Sequence, residues 1–303
     1  MQGIVFEEFG AADVLHVKDV DEPHAGPGEV RVAVRAAGVN PVDYKIRHGW
    51  MEQAFRTPLP AVPGLEFAGV VDEIGEGVTD VSVGDDVLGW TATGAYAQYA
   101  LAETLVRKPA ALGWAEAAAI PVAGETSRRV LDLLGLRDGE TLLVHGAAGA
   151  VGSVATQLAV ARGATVIGTA SPANHEYVRS LGAIPVAYGD GLVERVRAAA
   201  PQGVDAVFDV AGKGALPDSI ELRGGTTDRI VTIADPKAAE YGVTFSGGGA
   251  SDGKRSGLAE NVRLAGEGAL RLRVARTFPL ADAAKAQEAS EGGHASGKLV
   301  ITP

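Results

Sequence analysis

Apolar and polar or small positions alternate through Val30-Arg31-Val32-Ala33-Val34-Arg35, the period of a half-buried strand. Between Phe67 and Gly89 two further strand-like runs are separated by turns at Gly75-Glu76-Gly77 and Gly84-Asp85-Asp86. Short runs punctuated by Gly and Pro predict a compact β domain for this first third. From about residue 115 the pattern changes. A helical stretch reaches Leu134 and stops at Gly135, a residue suited to a helix C-terminus. β-branched runs at 141–145, 165–169, 206–210 and 230–233 then alternate with helical stretches at 151–162, 174–181 and 192–199. Alternation at this spacing predicts right-handed βαβ units on a parallel sheet. A strand candidate at 243–246 and a helix near 258–266 follow. A run at 270–274, a helix at 281–290 and a strand at 298–301 close the chain in the texture of its beginning. The predicted fold class is α/β: a doubly wound domain, 116–266, inserted into a β-rich domain made of 1–115 and 267–303. No internal repeat is visible.

Composition narrows the function classes. The 303 residues are 46% hydrophobic and 21% charged, as in a globular protein with room for two cores. A net charge of -11 repels nucleic acid, so an anionic ligand must be held by a local site of backbone N–H groups or placed cations. The absence of cysteine excludes disulfides, thiolate catalysis and sulfur-ligated zinc. Residues 1–13 carry acidic side chains and no apolar core of a signal peptide. No apolar run approaches the roughly 18 residues of a membrane span. A cytoplasmic protein is expected.

The strongest local signal is Leu142-Leu143-Val144-His145-Gly146-Ala147-Ala148-Gly149-Ala150-Val151-Gly152, a buried strand running through a Gly/Ala turn into an Ala-rich helix. Gly146, Ala148, Gly149, Ala150, Val151 and Gly152 are the small or helix-starting residues that let a backbone approach a pyrophosphate at a helix N-terminus. NAD-specific sites carry a carboxylate after the second strand, roughly 20 residues on. Here that strand ends Gly168-Thr169-Ala170-Ser171. Ser171, Asn174, His175 and Arg179 suit a 2′-phosphate, and NADPH is the expected cofactor. Exposed helix positions are the alternative reading of His175 and Arg179.

At this point the chain resembles the zinc-free quinone oxidoreductase and enone reductase branch of the medium-chain dehydrogenase/reductase superfamily. The resemblance rests on Ala36-Ala37-Gly38-Val39-Asn40-Pro41-Val42-Asp43-Tyr44-Lys45 and Val62-Pro63-Gly64-Leu65-Glu66-Phe67-Ala68-Gly69-Val70-Val71. It continues in Val83-Gly84-Asp85-Asp86-Val87, the Gly146–Gly152 turn and Ser296-Gly297-Lys298-Leu299-Val300. It implies a GroES-like substrate domain, a Rossmann cofactor domain and a cleft where nicotinamide meets substrate. Zinc-dependent members have a Cys between the positions of Val39 and Asp43 and Gly-His-Glu where this chain reads Gly64-Leu65-Glu66. Both ligands are missing, so no metal is expected.

The resemblance also implies the remaining site. Asn40 and Asp43 line the cleft near the nicotinamide ribose, with Asn40 otherwise a turn former before Pro41 and Asp43 otherwise a cap. Tyr44 and Lys45 follow within one turn. Lys45 is either a donor to an enolate or quinol oxygen or a solvated lysine. Thr126 matches a residue beside the nicotinamide, although Ser127-Arg128-Arg129 departs from the family pattern. Tyr188 matches an aromatic beside the adenosine phosphate. Val210 and Ala211 follow a strand at the carboxyl edge, where dinucleotides lie. Ala234, Phe245 and Gly247 follow later strands toward the nicotinamide end. Lys298 reaches the cofactor phosphate or caps the last strand's edge. Loops 50–57 and 247–255 would supply pocket residues. The expected activity is zinc-independent hydride transfer from NADPH to a quinone or an electron-poor C=C bond. A cofactor-binding sensor or structural protein is the alternative. A homodimer paired through the cofactor-domain sheet edge at 243–246 is implied as well.

Overall fold

The computed structural model of the chain describes residues 1–54, 56–248, 254–293 and 295–303, with the side chains of 254–256 left aside. Most of the 247–255 loop expected to line a pocket, and Phe55 of the 50–57 loop, lie outside the described residues. The chain divides into two units, Met1–Val122 with Asp252–Pro303, and Ala123–Ser251.

Its first passage through the first unit forms β1 (Gln2–Val5), β2 (His16–Asp19), β3 (Val30–Val39), α1 (Pro41–Arg47), β4 (Glu66–Ile74), β5 (Asp86–Thr91), β6 (Tyr99–Arg107) and α2 (Trp114–Ala118). Helix α3 (Ile120–Leu133) carries the chain into the second unit. There follow β7 (Thr141–His145), α4 (Ala150–Ala161), β8 (Thr165–Thr169), α5 (His175–Ser180), β9 (Ile184–Val186), α6 (Leu192–Ala199), β10 (Ala206–Asp209), α7 (Leu216–Leu222), β11 (Ile230–Thr232) and β12 (Thr244–Phe245). The return adds α8 (Lys254–Gly266), β13 (Val274–Pro279), α9 (Ala283–Glu291) and β14 (Lys298–Thr302).

The first unit is built on a sheet of order β13-β14-β3-β4-β5-β6, and β3 pairs also with β6. Valines 30, 32 and 34 of β3 are buried, while Arg31 and Arg35 take the other face, as the alternation predicts. Their core partners include Phe67, Val71, Val87 and Leu105. The second unit holds the parallel sheet β12-β11-β10-β7-β8-β9. All five residues of β7 are buried, because helices cover both faces of such a sheet. Strand order reverses between β7 and β10, which places the ligand crevice at their carboxyl ends.

Several boundaries differ from the sequence expectation. Helix α8 groups with the first unit, not with the doubly wound one. Its Leu258, Val262 and Ala265 are buried, it packs against β6, and a Cβ on Gly266 would stand 3.0 Å from the Pro109 ring. The helical stretch before Gly135 is two helices, broken at Ala119. The strand expected at 270–274 instead begins at Val274, on a sheet edge where most positions are exposed and periodicity is weak.

Candidate functional site

In the second unit the turn after β7 is shaped by three glycines with different physical reasons. Gly146 has φ +80°, a left-handed conformation that other residues rarely adopt. A Cβ on Gly152 would stand 2.2 Å from the Gly146 carbonyl oxygen, so helix α4 packs on the strand only without one. Gly149 has neither constraint. Its φ is -76°, and a Cβ there would meet only the Gly146 oxygen at 3.4 Å. It is the N-cap of α4, and no side chain caps that helix. The first-turn N–H groups, including those of Ala150 and Val151, therefore await an acceptor from outside the helix. Ala148, between Gly146 and Gly149, is nearly buried.

A chain of buried side chains orients this turn. The Gly146 N–H donates to Thr169 Oγ1 (3.1 Å), at the end of β8. Thr169 Oγ1 lies 3.5 Å from His145 Nδ1, and His145 Nε2 lies 2.9 Å from Ser219 Oγ. Ser219 donates its own proton to the Ala215 carbonyl (2.6 Å), so His145 must donate through Nε2 and accept at Nδ1. Burial pushes the His145 pKa down and favours that neutral form. Sequence reasoning quoted His145 and Thr169 in their motifs without this role and passed over Ser219. A polar residue closing a strand was the signal at the first two, and Ser219, on α7, carried none.

At the end of β8 the structure brings Ser171 and Asn174 together, Asn174 Nδ2 donating to Ser171 Oγ (3.0 Å). His175 turns its ring toward the Ala170 carbonyl, Nε2 at 3.3 Å. No carboxylate lies between Ala170 and His175. Tyr188 is largely exposed, on a loop gripped by Arg195, whose guanidinium donates to the carbonyls of Ala187, Tyr188, Gly189 and Asp190. Val210 and Ala211 follow β10, Ala234 follows β11, and Phe245 stands half exposed on β12 with Gly247 just beyond. Thr126 is nearly buried on α3, with its hydroxyl 3.5 Å from Glu125. The departing Ser127 has a packing role: its hydroxyl reaches the carbonyls of Ala123 and Val151 and ties α3 to α4.

In the first unit Asn40 is the N-cap of α1, and its own N–H donates to Asp43 Oδ2 (2.9 Å). Tyr96 Oη also donates to Asp43 Oδ2 (2.8 Å). Burial pushes the Asp43 carboxyl up to about 6 and the Tyr96 phenol well above its usual value, so the phenol remains a donor. Asn40 Nδ2 donates to Glu66 Oε1 (2.8 Å), the Val122 N–H donates to Glu66 Oε2 (2.7 Å), and Lys298 Nζ donates to Asn40 Oδ1 (2.6 Å) and to Glu66. Lys298 is 1% exposed and Glu66 0%. Lys298 therefore does not cap a strand edge, since β14 lies between β13 and β3, and its ammonium is committed to this buried pair. A role on a cofactor phosphate would require breaking that network. The Asn40 side chain is likewise committed to Glu66 and Lys298, and that of Asp43 to the Asn40 N–H and Tyr96.

Tyr44 and Lys45 differ. Both are half buried, and neither polar end has a hydrogen-bond partner among the described residues. Burial raises the Tyr44 pKa and lowers that of Lys45. The Tyr44 ring meets Trp50 edge-on, and Trp50 stacks on His48. This half-site offers two donors beside aromatic surface. It does not offer a metal site: Glu66 is saturated by an ammonium, an amide and a backbone N–H. Among the described residues no group of three His, Asp or Glu side chains could hold a metal ion. No helix among them is long and apolar enough to cross a membrane.

Comparison with known proteins agrees with both halves. Residues 26–122 match the alcohol dehydrogenase GroES-like domain, and residues 181–301 match the zinc-binding dehydrogenase domain. The chain is 34% identical, over 82% of its length, to 2-methylene-furan-3-one reductase of Solanum lycopersicum, and spans 66% of that protein. It is 32% identical over its whole length to the NADPH-dependent alkenal/one oxidoreductase, chloroplastic, of Arabidopsis thaliana, and covers 80% of it. The solved quinone oxidoreductase from Coxiella burnetii superposes with a TM-score of 0.88 at 32% identity, covering 100% of this chain and 99% of that one.

Proposed function

We propose that this chain, which belongs to the quinone oxidoreductase and enone reductase branch of the medium-chain dehydrogenase/reductase superfamily, is an NADPH-dependent reductase of quinones or electron-poor C=C bonds. The observation that carries the cofactor reading is Gly149, bare with no internal reason to be so, at the uncapped N-terminus of α4. Gly146, Ala148, Gly149, Ala150, Val151 and Gly152 would hold the pyrophosphate. Ser171 and Asn174, with no carboxylate beside them, would take the 2′-phosphate. NADPH, when bound, supplies a hydride to the β-carbon of an enone or to a quinone ring.

The chain's own residues then have three tasks. Thr126, Val210, Ala211, Ala234, Phe245 and Gly247 would shape the nicotinamide end. Tyr44 and Lys45 would donate to the substrate oxygen as negative charge develops there. Asn40 and Asp43 would hold α1 so that these donors are preorganised. The buried Glu66–Lys298 pair is neutral as a whole and occupies the carboxylate that follows the missing zinc-ligand position, so no zinc step is invoked. A cytoplasmic homodimer, paired through the edge strand β12, completes the proposal. NADPH oxidation against a panel of quinones, alkenals and cyclic enones tests it. Turnover with at least one class is expected, and tight NADPH binding without turnover on any of them would overturn the enzyme reading.

A further inference from the structure

Two loops at the carboxyl edge of the parallel sheet are tied to one another through a buried pair of side chains. Asp209, 0% exposed at the end of β10, accepts at Oδ1 from the N–H groups of Ala211 and Gly212, each at 3.0 Å. Its Oδ2 accepts from Thr232 Oγ1 (2.8 Å), at the end of β11. Thr232 Oγ1 in turn accepts from the N–H groups of Ala234 (3.1 Å) and Asp235 (3.0 Å). Four backbone donors in loops 210–212 and 233–235 thus converge on one buried carboxylate–hydroxyl pair. The loops also touch backbone to backbone. Gly212 has φ +58°, and a Cβ there would stand 2.6 Å from the Ala234 carbonyl carbon.

Neither side chain is needed for the hydrophobic core. A valine at 232 would keep the shape of the threonine and lose only its hydroxyl's bonds, and the sheet already pairs β10 with β11 through backbone bonds. What the pair adds is a fixed course for two loops that leave the sheet on the far side of its switch point from the glycine turn. A dinucleotide lying across that point meets the glycine turn with its adenosine half and these loops with the other half.

We propose that Asp209 and Thr232 are positioning residues for the nicotinamide half of the cofactor, a role that rests on the NADPH reading above. The hydroxyl is the critical atom. With both lone pairs taken by N–H donors, its proton has only the carboxylate to go to, so the three groups lock in one arrangement.

The test compares Thr232→Val with Thr232→Ser and reads dissociation constants by calorimetry for two probes, NADPH and adenosine 2′,5′-bisphosphate. The second lacks the nicotinamide half. Thr232→Val is expected to weaken NADPH by roughly tenfold while the fragment stays within about twofold. Thr232→Ser, which keeps the hydroxyl, should bind both as wild type does. Equal weakening of NADPH and fragment would overturn the proposal in favour of general loosening, and unchanged NADPH binding in folded Thr232→Val would overturn it outright. Should that variant not fold, Asp209→Asn gives the same reading. It keeps the acceptor for Ala211 and Gly212 but presents a donor to a hydroxyl already holding two. A wild-type protein that binds neither probe would remove the NADPH premise itself, a result distinct from either.

Discussion

Gly149 and Gly152 are three residues apart and bare for opposite reasons, so they separate binding from folding. Replacing Gly149 with Val adds a side chain where nothing inside the protein opposes it, at the place proposed for the pyrophosphate. NADPH affinity should fall at least roughly tenfold, about 1.4 kcal/mol, with the apo melting temperature nearly unchanged. Replacing Gly152 with Ala drives a Cβ into backbone that cannot give way, and should cost about 1–3 kcal/mol of stability in a urea melt. A Gly149→Val protein that melts early yet binds NADPH normally would reverse the assignment. Asp43 offers a residue-scale test in pH. Its pKa stands near 6 in the folded chain against the usual 3.8, so the folded state holds the proton more tightly. The stability this contributes is present below about 3.8 and is lost as pH rises through about 6. Asp43→Asn keeps one acceptor for Asn40 and Tyr96, because the other carboxylate oxygen has no partner among the described residues. Urea melts of variant and wild type should therefore diverge in the variant's favour between about pH 4 and pH 7. Parallel curves would refute the shift. The glycine turn was legible in the sequence because strand, turn and helix are contiguous. The pairing of Glu66 with Lys298 was not, because 232 positions separate them and neither neighbourhood marks its charge as buried.

At the scale of elements, legibility followed burial. Strands β7 and β8 announced themselves because both faces are covered and their middles, Leu142-Leu143-Val144 and Val166-Ile167, are apolar. Strand β13 did not, with most of its positions open to solvent. Helix α8 was visible as a helix, but its place was not, since an apolar stripe does not say which body it packs on. Strand β6 passed unread because Tyr99-Ala100-Leu101-Ala102-Glu103-Thr104 mixes small, apolar and polar positions without a clean period. The Glu66–Lys298–Asn40 cluster is what joins β4, β14 and the start of α1. Lys298→Met would leave the Glu66 carboxylate buried without its counter-ion, a loss on the order of 3–5 kcal/mol in chemical denaturation. Glu66→Gln combined with Lys298→Met should recover much of that loss, since the double change removes both charges. A double variant as unstable as the single one would show that charge is not the issue.

For the whole molecule, β12 is the edge of the parallel sheet among the described residues and leaves Phe245 52% exposed, a place where a second sheet could add. Light scattering at micromolar concentration should give twice the chain mass of 30.9 kDa. A value of 30.9 kDa would reject the homodimer. Activity should also survive exhaustive chelation, with loss and restoration by zinc as the contrary result.

The strand order of the first sheet carries a consequence for how the protein is made. Strand β14 ends at Thr302 and lies between β13 and β3, whose first residue is Val30. On the ribosome, therefore, β3 to β6 emerge early and must wait, with the 37–39 flank of β3 open, until β14 leaves the exit tunnel. The second unit is contiguous from Ala123 to Ser251 and has every strand of its sheet before then. Synthesis thus delivers the parallel-sheet body first and completes the earlier-begun one afterwards, so a nascent chain stalled before β14 should resist protease in its middle and not at its beginning.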